Sequence, residues 1–135
     1  MRLETPKWNE VPKWWPAIEG WVASALEHGG VTLYPVDVYN GLTSRNMKLW
    51  LALDGSILKA CCVTRIANYP RLKSLDILIC SGSDSESWLG FYPAIEQYAK
   101  ANDCDAVEFY GRRGWEKKMS GWGFKPVISI FRKAI

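Results

Sequence analysis

The sequence is poor in the residues that build metal sites and catalytic triads. It contains a single histidine, His28, and four cysteines that form no CxxC pair. Cys61 and Cys62 are adjacent in an apolar run, so on a strand they would point to opposite faces of a sheet. We therefore predict no metal site, and free buried thiols in a reducing compartment.

Long hydrophobic runs and a large charge imbalance are also missing. No apolar stretch approaches the roughly 20 residues that cross a bilayer, and Arg2, Glu4 and Lys7 interrupt any signal-peptide core. The net charge is only +3, although residues 100–135 carry eight basic and four acidic side chains. We expect a cytoplasmic location, or one inside a particle assembled in a cell, no membrane partner, and a charge too small to argue nucleic-acid binding by itself.

Tryptophan is abundant: the chain has eight, three of them between positions 8 and 15. Tryptophan brings a large apolar area and one N–H donor, which suits cores and interfaces alike. Trp14 belongs to the apolar stripe of a predicted helix, whereas Trp8 precedes it and Trp15 lies about 100° around its axis. We predict that Trp8 and Trp15 contact a partner protein or a second subunit. The alternative is that residues 1–11 fold back over a sheet edge.

The first third of the chain predicts an irregular arm and one helix. Prolines interrupt residues 1–11, which we interpret as an N-terminal arm. Apolar residues recur at helical spacing from Lys13 to His28, and Gly29-Gly30 ends this pattern. Residues 31–46 fit either a helix or a strand. Pro35 argues against a central strand, so we expect a loop and a short helix there.

The middle of the chain predicts three antiparallel strands. These are residues 47–53, 57–67 and 72–80. Asp54-Gly55 joins the first two strands as a hairpin turn, because both residue types tolerate positive φ. In the third strand, period-two alternation places Leu75, Ile77 and Ile79 on one face.

The last third predicts a helix followed by shorter elements. A capping box of Ser83 and Glu86 opens a helix over residues 85–102, in which Pro93 either causes a kink or marks the true first turn. The shorter elements are a strand at 106–110, a turn at 111–114, a short helix at 115–121 and a last strand from Phe124 to Arg132. The 135 residues thus predict one α/β (α+β) domain with a mixed central sheet and flanking helices.

This order of elements resembles the GNAT acyltransferase fold from about Leu42 to Ile135. Residues 48–57 look like the family's first hairpin, residues 95–100 like its central helix, and residues 121–125 like the end of its C-terminal helix. Residues 64–70 and 111–115 resemble GNAT-like proteins encoded by bacteriophages, some of which lie among virion structural genes. The resemblance implies a GNAT-like mixed sheet and, in an active member, acetyl-CoA as the acyl donor.

The pyrophosphate loop that the resemblance implies is degenerate. The family places an Arg/Gln-x-x-Gly-x-Gly/Ala loop before its central helix, because backbone N–H groups must approach the phosphates closely. Here the two glycine positions fall at Glu86 and Trp88, and no Arg or Gln occurs from Ser74 to Leu89. The degenerate loop consists of Ser83, Asp84, Glu86, Trp88 and Gly90. We therefore expect no cofactor site and no cofactor.

The catalytic positions implied by the resemblance are also altered. The tyrosine that would protonate the leaving thiolate falls at Met119, which cannot donate a proton. If the chain is active, Asp76 and Glu108 are the candidate general bases; each is alternatively an exposed strand residue or an ion-pair partner. Arg112 and Arg113 are predicted to contact a partner, with a solvated turn as the alternative.

Two functions follow from the sequence. The first is a GNAT-like protein with a degenerate cofactor loop that serves as a binding or assembly module, with a phage virion as one place for it. The second is a divergent acetyl-CoA-dependent N-acetyltransferase, in which the bound amine attacks the thioester directly. The first predicts a protein partner or self-association through aromatic surface residues and leaves a nucleic-acid partner open.

Overall fold

Five strands form one mixed sheet in the computed structural model, which describes residues 1–28, 32–84, 89–111 and 113–135. The strands are β1 (Arg2–Glu4), β2 (Met47–Asp54), β3 (Ile57–Tyr69), β4 (Leu72–Gly82) and β5 (Ala106–Phe109). They lie in the order β1-β2-β3-β4-β5. The first four are antiparallel to their neighbours, whereas β4 and β5 are parallel. The predicted α+β architecture with a mixed sheet is confirmed.

Four helices cover the two faces of the sheet. They are α1 (Val11–His28), α2 (Pro35–Thr43), α3 (Tyr92–Ala101) and α4 (Glu116–Ser120). Ile18 of α1 and Val38 of α2 belong to one buried cluster, on one face. Ile95 of α3 and Met119 of α4 belong to a second cluster, on the other. No helix in the described part of the chain is long and apolar enough to cross a membrane.

The helix α2 lies within residues 31–46, the segment whose sequence fits either a helix or a strand. Pro35 occupies its first turn, where a missing N–H removes no helical hydrogen bond. The Asp37 carboxylate accepts a hydrogen bond from the backbone N–H of Tyr34 at 2.8 Å, which caps the same end. The predictions of α1 and of a short helix after residue 31 are confirmed. Gly29-Gly30, predicted to end α1, lies outside the described residues.

The N-terminal arm is not irregular as predicted. Residues 2–4 form β1, which pairs with β2 through Arg2 opposite Leu53. A 3-10 turn at Trp8–Glu10 then leads into α1. The arm thus folds back over a sheet edge, the alternative that the sequence had offered. A three-residue strand is held by the backbone of its neighbour, so side-chain periodicity does not reveal it.

The strand β4 contains a bulge that changes the predicted facing of one residue. Ile77 pairs with Thr64 and Ile79 pairs with Val63, so Leu78 is an extra residue on β4. Leu78 and Ile79 consequently both join the α1 cluster, whereas Ile77 joins the other cluster. The prediction that Ile79 shares a face with Ile77 is therefore wrong, because a bulge shifts the period-two alternation by one residue. The hairpin turn at Asp54-Gly55 is confirmed, with a φ of 62° at Gly55.

The helix α3 begins at Tyr92 rather than near residue 85. Pro93 lies in its first turn, one of the two alternatives for that proline, and Phe91 is the N-cap. Gly90 is in a 3-10 turn immediately before it. Pro93 has no N–H to donate, so the helix starts where that loss is harmless.

Ser83, one half of the predicted capping box, is bonded to β3. Its hydroxyl donates to the backbone carbonyl of Lys59 at 3.4 Å, and the backbone N–H of Asp84 donates to the same oxygen at 3.1 Å. Ser83 therefore belongs to the turn that follows β4, and α3 begins only at Tyr92. Glu86, the other half of the predicted box, lies outside the described residues.

Residues 124–135 do not form the predicted last strand. The whole segment is described, and it has neither strand nor helix. Phe124 packs its ring 5.4 Å from that of Tyr92, and Arg132 donates to the Thr32 hydroxyl at 2.9 Å. The apolar pattern of the segment suits a strand, but a strand also requires pairing with a neighbour, which the local pattern does not determine.

Candidate functional site

The strands β4 and β5 pair only over the four residues of β5, which leaves the second half of β4 without this neighbour. They pair from Ser74 with Ala106 to Ile77 with Phe109, and the backbone N–H of Tyr110 donates to the Ile77 carbonyl at 3.0 Å. Beyond this point β4 continues to Gly82, whereas the other segment turns into the 3-10 turn Arg113–Trp115. The divergence leaves a cavity of about 220 Å³ between the two segments. We call this cavity the wedge.

The wall of the wedge contains the β4 bulge. Leu78, the extra residue, lines the cavity with Ile79 and Gly82. A bulge interrupts the strand ladder locally and occurs often beside active sites. Gly82 has a φ of 152°, and an added Cβ would collide with the Lys59 carbonyl. Gly82 therefore allows the end of β4 to lie close to β3, because it has no side chain that would collide there.

Three titratable side chains line the wedge: His28, Cys80 and Tyr110. His28 comes from the end of α1, and its Nδ1 lies 2.9 Å from the Ser24 carbonyl oxygen. Burial, and a hydrogen bond with Tyr69, raise the pKa of the Tyr110 hydroxyl above its usual range. Tyr110 thus remains a proton donor at neutral pH, while Nε2 of a neutral His28 would be an acceptor.

The candidate bases Asp76 and Glu108 are brought together, opposite each other on β4 and β5. Asp76 is completely buried, and its Oδ1 accepts from the Ser74 hydroxyl at 2.8 Å. Its Oδ2 lies 3.6 Å from the Arg65 guanidinium. The ion-pair alternative is thus confirmed for Asp76. Glu108 is half-buried, and a catalytic role for either carboxylate stays a prediction.

The start of α3, where the resemblance implies the cofactor phosphates, is poor in donors. Pro93 lacks an N–H, and the buried Tyr92 packs its ring 5.2 Å from that of Trp122. Asp84 is exposed in the turn after β4. In the described part of the degenerate loop, which is Ser83, Asp84 and Gly90, the only charged group is therefore a carboxylate. A carboxylate there would repel a diphosphate, and the absence of a cofactor stays a prediction.

Two positions of the degenerate loop, Glu86 and Trp88, lie outside the described residues. So do Arg112 and the side chain of Arg113, which were predicted to contact a partner. Met119 lies in α4, and its side chain is buried.

The two tryptophans predicted to contact a partner lie in different environments. Trp8 is exposed, with the Arg45 guanidinium 4.8 Å from its ring centroid. Trp15 is half-buried and meets the Tyr39 ring of α2 edge-on at 5.1 Å. Trp15 therefore contributes to its own domain, and a partner role for either residue stays a prediction.

The thiols and acids do not assemble into a metal centre. All four cysteines are free, and burial raises the pKa of the Cys61 thiol above its usual range. Within residues 1–28, 32–84, 89–111 and 113–135, no three His, Cys, Asp or Glu side chains could hold a metal ion together.

The wedge was missed in the sequence because it is made by backbone divergence. One signal was present: Ile77, Leu78 and Ile79 are three consecutive apolar residues within an alternating strand. Such a break in alternation is what a bulge produces.

The fold of this chain resembles solved structures of N-acetyltransferases. A GCN5-related N-acetyltransferase from Ralstonia eutropha JMP134 gives a TM-score of 0.75 at 9% identity, covering 98% of this chain and 97% of that one. The ribosomal-protein-alanine N-acetyltransferase from Brucella melitensis biovar Abortus 2308 gives 0.70 at 10% identity, over 100% of both chains. A predicted acetyltransferase from Clostridium acetobutylicum, solved with acetyl-CoA, gives 0.70 at 10% identity over 98% and 95%.

The similarity is one of fold. No protein-family model matches the chain, and no curated protein matches it. The TM-scores and the near-complete coverage establish that this chain has the GNAT fold. At these identities a shared fold carries no information about substrate or activity.

Proposed function

We propose that this chain uses the GNAT fold as an assembly module, in which two copies associate through residues 124–135, here called the C-terminal segment. The observation that carries the proposal is the exposure of its apolar side chains. Val127, Ile128, Ile130 and Phe131 are 73–93% exposed. A contiguous exposed apolar patch of this kind marks an interaction surface.

The complementary surface is the outer edge of β5. β5 is the last strand in the sheet order, and all four of its residues are half-buried. An edge strand can accept an extended segment from another chain. Each copy carries both the C-terminal segment and the β5 edge. In a closed pair, the C-terminal segment of each copy can therefore bind β5 of the other.

Charge supports the same pairing. The C-terminal segment carries Lys125, Arg132 and Lys133, and every one of its charges is positive. The β5 strand carries Glu108, and Asp105 immediately precedes it. Opposite charges on the two surfaces favour their association and set its register.

Acetyl-CoA is not needed for this function. The start of α3 presents Pro93 and the packed ring of Tyr92, and Asp84 adds negative charge in the preceding turn. We also place the assembly in a bacteriophage particle, with the resemblance of residues 64–70 and 111–115 to phage-encoded proteins as the support.

The experiment compares two matched substitutions of exposed isoleucines. Ile130→Glu places a charge in the C-terminal segment, whereas Ile57→Glu places one at the β2–β3 hairpin; the two isoleucines are 73% and 60% exposed. Sedimentation velocity should show a dimer for the unmodified chain and for Ile57→Glu, and a monomer for Ile130→Glu. Equal masses for the two variants would contradict the proposal.

A second function, a divergent acetyl-CoA-dependent N-acetyltransferase, is favoured by the wedge. The bulge residue Leu78 lines a cavity of about 220 Å³, together with Tyr110. Backbone groups that a bulge leaves outside the strand pairing can stabilise a developing negative charge there. This candidate lacks a described phosphate site, and calorimetry with acetyl-CoA tests it directly.

We expect no binding at millimolar acetyl-CoA. Submillimolar binding would overturn the cofactor-free proposal and favour the second function. In that case Glu86→Gly should strengthen the binding, because it removes a carboxylate from a glycine position of the loop.

A further inference from the structure

A second cavity lies on the β1 side of the sheet, away from the wedge and from β5. Its volume is about 240 Å³. It is bounded by residues 5–8 after β1, by Val11 of α1, by Leu42 of α2 and by residues 47–49 at the start of β2. Neither function proposed above uses this cavity, which we call the β2 cavity.

The lining of the β2 cavity is positively charged. Lys7, Arg45 and Lys48 line it, and its described lining contains no carboxylate. Two nearby acids are already engaged. Glu10 accepts from the backbone N–H of Lys7 at 3.0 Å, and Glu4 is paired with Arg2 at 3.0 Å. Three cations around one cavity favour an anion as the ligand.

Aromatic rings accompany these cations. The Arg45 guanidinium lies 4.8 Å from the ring centroid of Trp8, and 46% of Trp8 remains exposed. The Lys48 ammonium lies 4.8 Å from the ring centroid of Tyr98. Exposed indole rings beside basic groups stack well with planar bases.

The backbone places Arg45 in an uncommon conformation. Its φ is 69°, in the left-handed region that residues other than glycine seldom adopt. Arg45 follows Ser44, the C-cap of α2, where a left-handed residue commonly ends a helix, so the end of α2 fixes the backbone that carries this guanidinium. Burial also lowers the pKa of Lys48, so its ammonium is less hydrated than that of a surface lysine and gains more from an incoming anion.

We propose that the β2 cavity binds one nucleotide unit, a phosphate joined to a planar base. Lys7, Arg45 and Lys48 hold the phosphate, and the base stacks on Trp8. The cavity is smaller than the roughly 300–1,000 Å³ of most drug-sized ligand pockets, which limits the ligand to one such unit. The unit comes either from a free nucleotide or from a single-stranded nucleic acid.

The test is calorimetric titration of the full chain with AMP, adenosine and inorganic phosphate. AMP should bind at least about tenfold more tightly than adenosine or phosphate, because only AMP engages both the cations and the ring. A labelled oligothymidylate, followed by fluorescence anisotropy, identifies the source. Tighter binding of the oligonucleotide than of AMP points to nucleic acid, and the reverse to a free nucleotide.

The variants are chosen to leave the fold intact. Arg45→Gly removes the guanidinium at a position whose φ suits glycine, and Trp8→Ala removes an exposed ring. Each should weaken the binding of the preferred ligand at least about tenfold. Lys13→Ala is the control, because Lys13 lies over Trp14, at 5.7 Å, outside the cavity; it should bind like the unmodified chain.

Three results would overturn the proposal. The first is the absence of binding by both AMP and the oligonucleotide at millimolar concentration. The second is binding that Arg45→Gly leaves unchanged, and the third is phosphate binding as tight as that of AMP. Each result is independent of whether the chain dimerises.

Discussion

At the residue scale, burial decides what Asp76 can do. It is fully buried, bonded to the Ser74 hydroxyl and paired with the half-exposed Arg65, and its Oδ2 has no described hydrogen bond. A substrate amine cannot reach such a carboxylate without a change in structure. We therefore expect Asp76 to stabilise the sheet, and a catalytic role for it stays a prediction.

Asp76→Ala should destabilise the fold by about 2 kcal/mol or more, because Ser74 and Arg65 lose a buried partner. Asp84→Ala, an exposed carboxylate in the turn after β4, is the control and should stay within about 0.5 kcal/mol. Urea unfolding of both variants measures the difference. Equal stabilities would show that Asp76 is not structural and would restore it as a candidate base.

A second residue-scale consequence concerns alkaline pH. Burial, with a smaller contribution from the charge of Glu96, raises the pKa of Tyr92 to about 12, against about 10 in an unfolded chain. The unfolded state therefore loses this proton first. The contribution of Tyr92 to the free energy of unfolding is complete below about pH 10 and decreases as the pH rises toward about 12.

The melting temperature should accordingly fall less in Tyr92→Phe than in the unmodified chain between about pH 8 and about pH 11. Tyr34→Phe is the control, because Tyr34 is largely exposed, and it should show the same fall as the unmodified chain. An identical fall in all three proteins would contradict the assignment of a raised pKa to Tyr92.

At the element scale, the sequence predicted the helices and turns that are determined by interactions between residues close together in the chain. The helical stripe of α1, the turn at Asp54-Gly55 and the stop of α3 near Asn102-Asp103 are all visible in consecutive residues. The first strand is not, because Arg2–Glu4 becomes a strand only through the backbone of β2. The true start of α3 was open for a similar reason, since the sheet still holds Ser83.

The candidate site was less predictable than the fold. The wedge depends on where β5 leaves β4 and on the bulge at Leu78, and both are properties of strand pairing. Asp76 and Glu108 were singled out from the sequence, but their register across two strands was not. The predicted last strand makes the same point, because Phe124 to Arg132 has the apolar pattern of a strand but pairs with no strand of its own chain.

Deleting residues 1–4 tests whether the N-terminal strand serves its own domain. The loss of the β1–β2 ladder should lower the melting temperature by several degrees, since about 1 kcal/mol corresponds to roughly 4 °C in a chain of this size. The sedimentation mass should stay that of the full chain. An unchanged melting temperature with a changed mass would show that the strand contacts a partner instead.

At the scale of the whole molecule, the two edges of the sheet differ in chemistry. The β1 side carries the β2 cavity with its three cations. The β5 side is an edge strand in a chain whose apolar C-terminal segment is exposed. We propose that the GNAT fold here supplies the frame for both surfaces.

The central claim is that the chain assembles without a cofactor, and sedimentation equilibrium with and without millimolar acetyl-CoA tests it most directly. We predict twice the chain mass of 15.3 kDa in both conditions, because the C-terminal segment and β5 are present in every copy. A mass of 15.3 kDa at all protein concentrations, or a dimer that forms only with acetyl-CoA, would contradict the account.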